Sequence, residues 1–269
     1  MKNTFYSLFI LLLLSVTSFA QTSQGNYYTS FDGTKIYYET GGQGYPIVLL
    51  HGFVNTSANW LKTATYSTLI KAGYQVIVPD MRGNGHSDMP NEQEYQNDAQ
   101  VKDLIGLMTS LHIQQYDVVG YSRGAIVAAK LLTMDKRIRK GIIGGMGDAF
   151  TNPNWEVPKR FYQVLSGDTT VKDKQSMQGT LDYANQMHFN LMALAYQQKY
   201  QPVTTPAELG TIHIPVMVLR GSEDWSNGSA IILQSMIPGA RLRYVPGDHN
   251  HAYGTQPFAD AVLGFIKEL

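Results

Sequence analysis

Short runs dominated by branched apolar residues recur along the chain, each closed by a glycine, an aspartate or a serine: PIVLLHG (Pro46–Gly52), YQVIVPD (Tyr74–Asp80), YDVVGYS (Tyr116–Ser122), RKGIIGG (Arg139–Gly145), PVMVLRG (Pro215–Gly221) and ARLRYVPG (Ala240–Gly247). Runs without polar alternation predict strands covered on both faces. Ahead of them, YYTSFDGTKIYYET predicts a hairpin of two Tyr-rich strands around Asp32-Gly33. Between the strands the apolar spacing turns helical. Thr56–Ala72 carries Trp60, Leu61, Leu69 and Ile70, and Tyr95–Leu111 carries Val101, Leu104, Ile105 and Met108. Arg123–Met134 and Gly228–Met236 follow the same pattern, and the terminal PFADAVLGFIKEL places Pro257 in a first helical turn. Strands alternating with helices predict an α/β fold: a mostly parallel sheet with an N-terminal antiparallel hairpin and helices on both faces.

The alternation breaks over residues 150–210, where WEVPKRFYQVL and SMQGTLDYANQMHFNLMALAYQQKY read as helices and Pro202 and Pro206 close the excursion. This segment is expected to be a short helical cap inserted between two core strands. The first twenty residues differ again. Lys2 precedes an apolar run from Leu8 to Leu14, and small residues follow at Ser18 and Ala20. That layout predicts a signal peptide over residues 1–20 cleaved after Ala20, hence a secreted or periplasmic domain of residues 21–269. The run is shorter than the roughly 20 residues a spanning helix needs, so no stable membrane insertion is expected after cleavage.

Composition narrows the partners. The 269 residues balance to a formal net charge of +0, with no basic excess to attract nucleic acid. There is no cysteine, which excludes disulfides and thiolate chemistry. No H-E-x-x-H or similar spacing points to a metal, and neither a metal nor an organic cofactor is expected. A small-molecule substrate remains, with no reading of oligomeric state.

The candidate chemistry lies at strand ends. In VVGYSRGA, Ser122 stands between a strand and a helix, with Gly120 and Gly124 two residues to either side. The glycines allow a sharp turn that projects the serine Oγ, and the helix beginning at Arg123 points free N–H groups toward the same place. A serine needs a base to become a nucleophile. LRGSEDWSN puts Asp224 just past one later strand, and YVPGDHNHAYG puts His249 just past the last. Ser, Asp, His in that order gives a nucleophile, an orienting acid and a general base. His251 competes with His249, and Glu223 and Asp148 compete with Asp224. His51 reads as a structural histidine, and Arg82 with the following RGNGH loop as turn and packing residues. Trp60, Trp155, Trp225, Phe161, Tyr183 and Met187 supply aromatic and apolar surface for helix packing or for a pocket wall.

Taken together, LLHGF, PDMRGNGHSD, GYSRGA, LRGSED and PGDHNHA, in this order from about Tyr27 to Leu269, resemble the α/β-hydrolase superfamily. They are most similar to its esterase-like members with a small helical cap, although Asp-His stands where many families carry Gly-His. The resemblance implies an oxyanion hole built from the backbone N–H groups of Phe53 and Arg123. It implies a serine hydrolase, first of all a carboxylic-ester hydrolase, working through an acyl-enzyme on a small or medium apolar ester. An amidase or peptidase, a lactonase, a C–C hydrolase and a perhydrolase would use the same three residues. A hydrolase-like binding protein with little turnover is the reading from a different class.

Overall fold

The computed structural model describes residues 24–171 and 175–268. The expected signal peptide and its cleavage point lie outside them. The strands are β1 (Gln24–Thr29), β2 (Lys35–Gly41), β3 (Pro46–Leu50), β4 (Gln75–Pro79), β5 (Tyr116–Tyr121), β6 (Ile138–Gly144), β7 (Val216–Gly221) and β8 (Arg241–Val245). They form one eight-stranded sheet in the order β1-β2-β4-β3-β5-β6-β7-β8. β1 and β2 pair antiparallel, β2 joins β4 antiparallel, and every other pairing is parallel. Each run seen in the sequence is one of these strands, but β8 is not covered on both faces as expected: it lies at the sheet edge, where Arg241, Arg243 and Tyr244 stay exposed.

Helices cover both faces: α1 (Ser57–Leu61), α2 (Ala64–Lys71), α3 (Ala99–Ser110), α4 (Arg123–Met134), α5 (Glu156–Leu165), α6 (Gln175–Gln186), α7 (Leu191–Lys199), α8 (Pro206–Leu209), α9 (Ala230–Ser235) and α10 (Gln256–Lys267). The strand side chains divide between two cores with a period of two residues. Val48, Leu50, Ile77, Val118 and Val218 pack with α3, α4 and α9. Ile47, Leu49, Val76, Val78, Val119 and Leu219 pack with Trp60, Leu69 and the α10 residues Phe258, Val262 and Phe265. Both faces being apolar is why these strands read as unbroken hydrophobic runs. Among the described residues no helix is long and apolar enough to cross a membrane.

Three helix boundaries differ from the sequence expectation, each for a local reason. The segment Thr56–Ala72 is two helices. Thr63 donates its hydroxyl to the Trp60 carbonyl (2.7 Å) and accepts from the Tyr66 N–H (3.2 Å), ending α1 and capping α2. α3 starts at Ala99 and not at Tyr95, because Asn97 and Asp98 take left-handed backbone (φ 55° and 56°) after a short 3₁₀ turn at Glu92–Tyr95. Between α6 and α7, His188 at φ 57° turns the chain, and Asn190 then caps α7 by accepting from Ala193 N–H (3.0 Å). Helices α5 to α8 occupy the excursion between β6 and β7. Leu165, Ala184, Leu194 and Ala195 there form a third apolar cluster with Val54 of the loop after β3.

Arg82 is more than a packing residue. It is fully buried and binds Asp103 through Nε (2.7 Å) and Nη2 (2.5 Å), and Asp32 of the hairpin turn through Nη1 (2.8 Å). Ser30 donates to the same Asp103 carboxylate at 2.5 Å. This network fastens the N-terminal hairpin to α3 and to the loop after β4. Arg82→Met leaves the Asp103 carboxylate buried without its cation and is expected to destabilise the fold by about 3–5 kcal/mol in urea denaturation. Arg82→Met combined with Asp103→Leu is expected to recover much of that loss.

Candidate active site

The turn after β5 is set by two close approaches. A Cβ on Gly120 would lie 2.3 Å from the Gly124 carbonyl oxygen, and one on Gly124 would lie 2.3 Å from the Leu50 carbonyl oxygen. Only glycine fits at either position, so α4 starts hard against the ends of β5 and β3. The chain passes between them through Ser122, held at φ 53° and ψ −123°, a conformation unusual for a residue with a side chain. The Ser122 N–H is fastened to the Gly144 carbonyl at 2.8 Å.

Three sequence candidates meet here. Ser122 Oγ lies 2.9 Å from His249 Nε2, and His249 Nδ1 lies 2.9 Å from Asp224 Oδ2. Asp224 is buried (3% exposed). Burial raises its pKa, but the hydrogen bond and charge of His249, the Ser226 N–H and nearby Arg220 outweigh burial and hold the carboxyl below its ordinary range. With Asp224 ionised, the imidazole carries its proton on Nδ1 and turns the Nε2 lone pair to Ser122.

The alternates fall elsewhere. His251 is exposed and pairs with Asp248 at 2.8 Å. Asp148 accepts the Ser229 N–H at 2.6 Å, before α9. The Glu223 side chain is exposed. Phe53 stands in the loop after β3, its ring edge-on to Phe161 at 5.3 Å. Arg123 is the first residue of α4. Its guanidinium meets no carboxylate within salt-bridge range among the described residues. It donates instead to Gln100 Oε1 (2.7 Å) and to the Gln197 carbonyl on α7 (3.1 Å).

Two supporting residues carry more than the sequence suggested. His51 is buried, accepts the Met81 N–H on Nε2 (3.0 Å), and so donates from Nδ1 to the Gly52 carbonyl (2.8 Å). Burial pushes its pKa down and keeps it neutral. The Gly52 carbonyl and the Phe53 N–H belong to one planar peptide unit, so fixing one fixes the direction of the other. Tyr121, which precedes the serine, donates its hydroxyl to the His249 carbonyl (2.8 Å) and lays its ring near the imidazole (5.6 Å). Its place in GYSRGA was visible, but no spacing rule links it to the histidine loop.

A cavity of about 630 Å³ opens above Ser122 and His249. Phe53, Phe161, Tyr183 and Tyr253 give it aromatic walls, and Asn55 and Asn227 add amides. Phe161 and Tyr183 come from α5 and α6, so the helical excursion lines the cavity with the strand-end loops. A space of this size, with apolar walls and a few polar groups, suits a small organic molecule.

Because Asp224 is held below its ordinary value of 3.8, its stabilising contribution is complete above that pH and is lost as pH falls through its folded value. The difference in urea stability between the parent and Asp224→Asn is therefore expected to be constant near neutral pH and to shrink on acidification below 3.8. Denaturation curves taken across that range check the sign.

Comparison with known proteins agrees with this architecture. The chain is 25% identical over 202 residues to 2-hydroxymuconate semialdehyde hydrolase of Pseudomonas sp. strain CF600, covering 68% of this chain and 71% of that protein. It is 35% identical over 96 residues to a non-heme chloroperoxidase of Kitasatospora aureofaciens, covering 36% of this chain and 34% of that protein. Three relatives matched at 35–39% identity are spanned over only 30–39% of their own length. The structure of an esterase from Exiguobacterium antarcticum shares the fold, with TM-score 0.74 at 22% identity over 91% of this chain and 100% of that one. Residues 45–210 match the family model described as alpha/beta hydrolase fold. With that match over more than half its length, and with the sheet order and strand-end site described above, the chain belongs to the alpha/beta hydrolase family.

Proposed function

We propose that this hydrolase is a serine hydrolase of carboxylic esters. The observation that carries the reading is the unbroken relay from Ser122 Oγ to His249 to buried Asp224, at 2.9 Å and 2.9 Å, on the floor of a cavity. In the proposed reaction His249 Nε2 takes the Ser122 proton as Oγ bonds to the ester carbonyl carbon. The carbonyl π pair moves onto oxygen, and the backbone N–H groups of Phe53 and Arg123 receive that oxyanion. The carbonyl re-forms, the C–O bond to the alcohol breaks, and the imidazolium gives its proton to the departing alkoxide. Water then attacks the acyl-serine by the same route and releases the acid.

The rigid peptide between Gly52 and Phe53 supports the oxyanion assignment. The Asp224 carboxylate supports His249 as base, because it stabilises the imidazolium that forms. Export is proposed on the layout of residues 1–20 alone. A second reading is hydrolysis of a carbonyl substrate other than an ester, favoured by the likeness over 202 residues to a semialdehyde hydrolase.

A panel of p-nitrophenyl esters, lactones, amides and β-diketones separates these readings, with ester turnover expected to dominate. Ser122→Ala and His249→Ala are each expected to lower kcat by roughly 10⁴-fold or more. His251→Ala is expected to retain the parent's activity. Turnover that survives Ser122→Ala would remove the nucleophile assigned here. His51→Ala is expected to lower kcat by roughly 10- to 100-fold with little change in KM, since it loosens a donor used in the transition state. Steady-state kinetics on p-nitrophenyl acetate measure all four variants, and mass spectrometry of the exported protein tests for Gln21 as the new N-terminus.

A further inference from the structure

Trp225 directly follows Asp224 and is 86% exposed. A tryptophan leaves that much apolar surface in water only at a considerable cost, and it is seldom found so. The indole is not displayed from a slack loop. The Ser226 N–H is bound to Asp224 Oδ1 (3.1 Å), and Arg220 donates to the carbonyls of Ser226 and Gly228, the latter at 2.7 Å. Ser226 and Asn227 of this turn line the cavity above Ser122.

α6 lines the same cavity through Tyr183, which is 40% exposed. One helical turn on, Met187 is 52% exposed and its N–H closes on the Tyr183 carbonyl at 2.9 Å. Residues four apart on a helix share a face, so the apolar row leaves the cavity along Tyr183 and Met187. Arg123 and Arg220 are engaged elsewhere: Arg123 with Gln100 and Gln197, Arg220 with the turn's own carbonyls. An ionised tail entering between these surfaces would shed water without meeting a cation among the described residues lining the cavity, whereas an apolar tail would gain contact.

We infer that Trp225, with Tyr183 and Met187, forms an apolar shelf at the cavity mouth that holds the tail of an uncharged ester too long for the cavity. Trp225 is thereby a specificity-determining residue for chain length. The inference rests on the ester reading above. It gives the turn carrying Asp224 a second task, gripping the part of the substrate farthest from the reacting carbonyl.

The experiment compares kcat/KM for p-nitrophenyl acetate and p-nitrophenyl octanoate in the parent, Trp225→Ala and Trp225→Phe. The octanoate-to-acetate ratio is expected to fall about tenfold in Trp225→Ala, carried by KM, as withdrawal of a modest apolar contact requires. Trp225→Phe is expected to restore most of it. An unchanged ratio, or an equal fall on both esters, overturns the inference. Calorimetric titration in a Ser122→Ala background reads binding without turnover, so it separates this inference from the ester reading. There octanoate affinity is expected to fall by the same factor when Trp225→Ala is added, and unchanged affinity overturns the shelf whether or not the parent hydrolyses esters. Mono-p-nitrophenyl suberate, of equal chain length but ionised at its end, is expected to bind at least about tenfold more weakly than the octanoate. Equal binding of the two overturns the requirement for an uncharged tail.

Discussion

Everything at this site depends on how closely α4 approaches β3. Gly124 lies against the Leu50 and His51 carbonyls with no room for a Cβ, and Gly120 lies equally close to the Gly124 carbonyl. That contact brings the loop after β3 beside the turn after β5, so that Gly52 packs toward the Ser122 Cβ. It also forces Ser122 into left-handed backbone, a strain the surrounding hydrogen bonds must offset. The Ser122 N–H bond to Gly144 on β6 and the Ala125 N–H bond back to Ser122 hold the turn from both sides. A one-methyl enlargement at either glycine would push the turn away from the loop that carries Phe53.

The other members of the site are brought together first by the sheet. β5, β7 and β8 run parallel with β6 among them, so the loops leaving their carboxyl ends rise on the same edge. That edge is where Ser122, Asp224 and His249 converge. Tyr121 then ties the histidine loop to the last residue of β5, so the imidazole is held both by its Asp224 partner and by its own carbonyl. The arrangement is rigid where chemistry needs an alignment of tenths of an ångström, and it is built from backbone bonds around Ser122 together with part-buried side-chain bonds around His249.

How much of this was legible in the sequence follows from the same physics. Strands buried on both faces announce themselves as unbroken apolar runs, and Ser122 and Asp224 stand out because each follows such a run, whereas His249 follows the partly exposed edge strand β8. His249 could be set apart from His251 only by geometry: both lie in one loop, two residues apart, and the choice is made by which ring faces Ser122. The burial of Arg82 was not legible, because its partners Asp32 and Asp103 lie 50 and 21 residues away and no local pattern joins them. Helix ends were misplaced where a single side chain decides the matter, as Thr63 does between α1 and α2. The exposure of Trp225 was also hidden, since a tryptophan in a sequence reads as core until its surroundings are known.

Arg123 shows why a residue beside the nucleophile cannot be read from its backbone role alone. The resemblance to a family assigned work only to its N–H. It is buried at 3% exposure with no carboxylate in range among the described residues, and burial pushes the guanidinium pKa down to about 9. Desolvating a cation costs several kcal/mol, and charge-assisted bonds to neutral acceptors offset only part of that. What the fold gains is a three-way tie. The first residue of α4 is bonded to Gln100 on α3 and to the α7 backbone at Gln197, while Gln197 itself donates to the Arg82 carbonyl at 2.9 Å. The turn that carries Ser122 is thus fastened to the helical excursion by the Arg123 guanidinium, and the Gln197 side chain in turn joins that excursion to Arg82 of the hairpin network. A cation placed there links α3, α4 and α7, which an apolar side chain of the same size could pack against but could not hold in register.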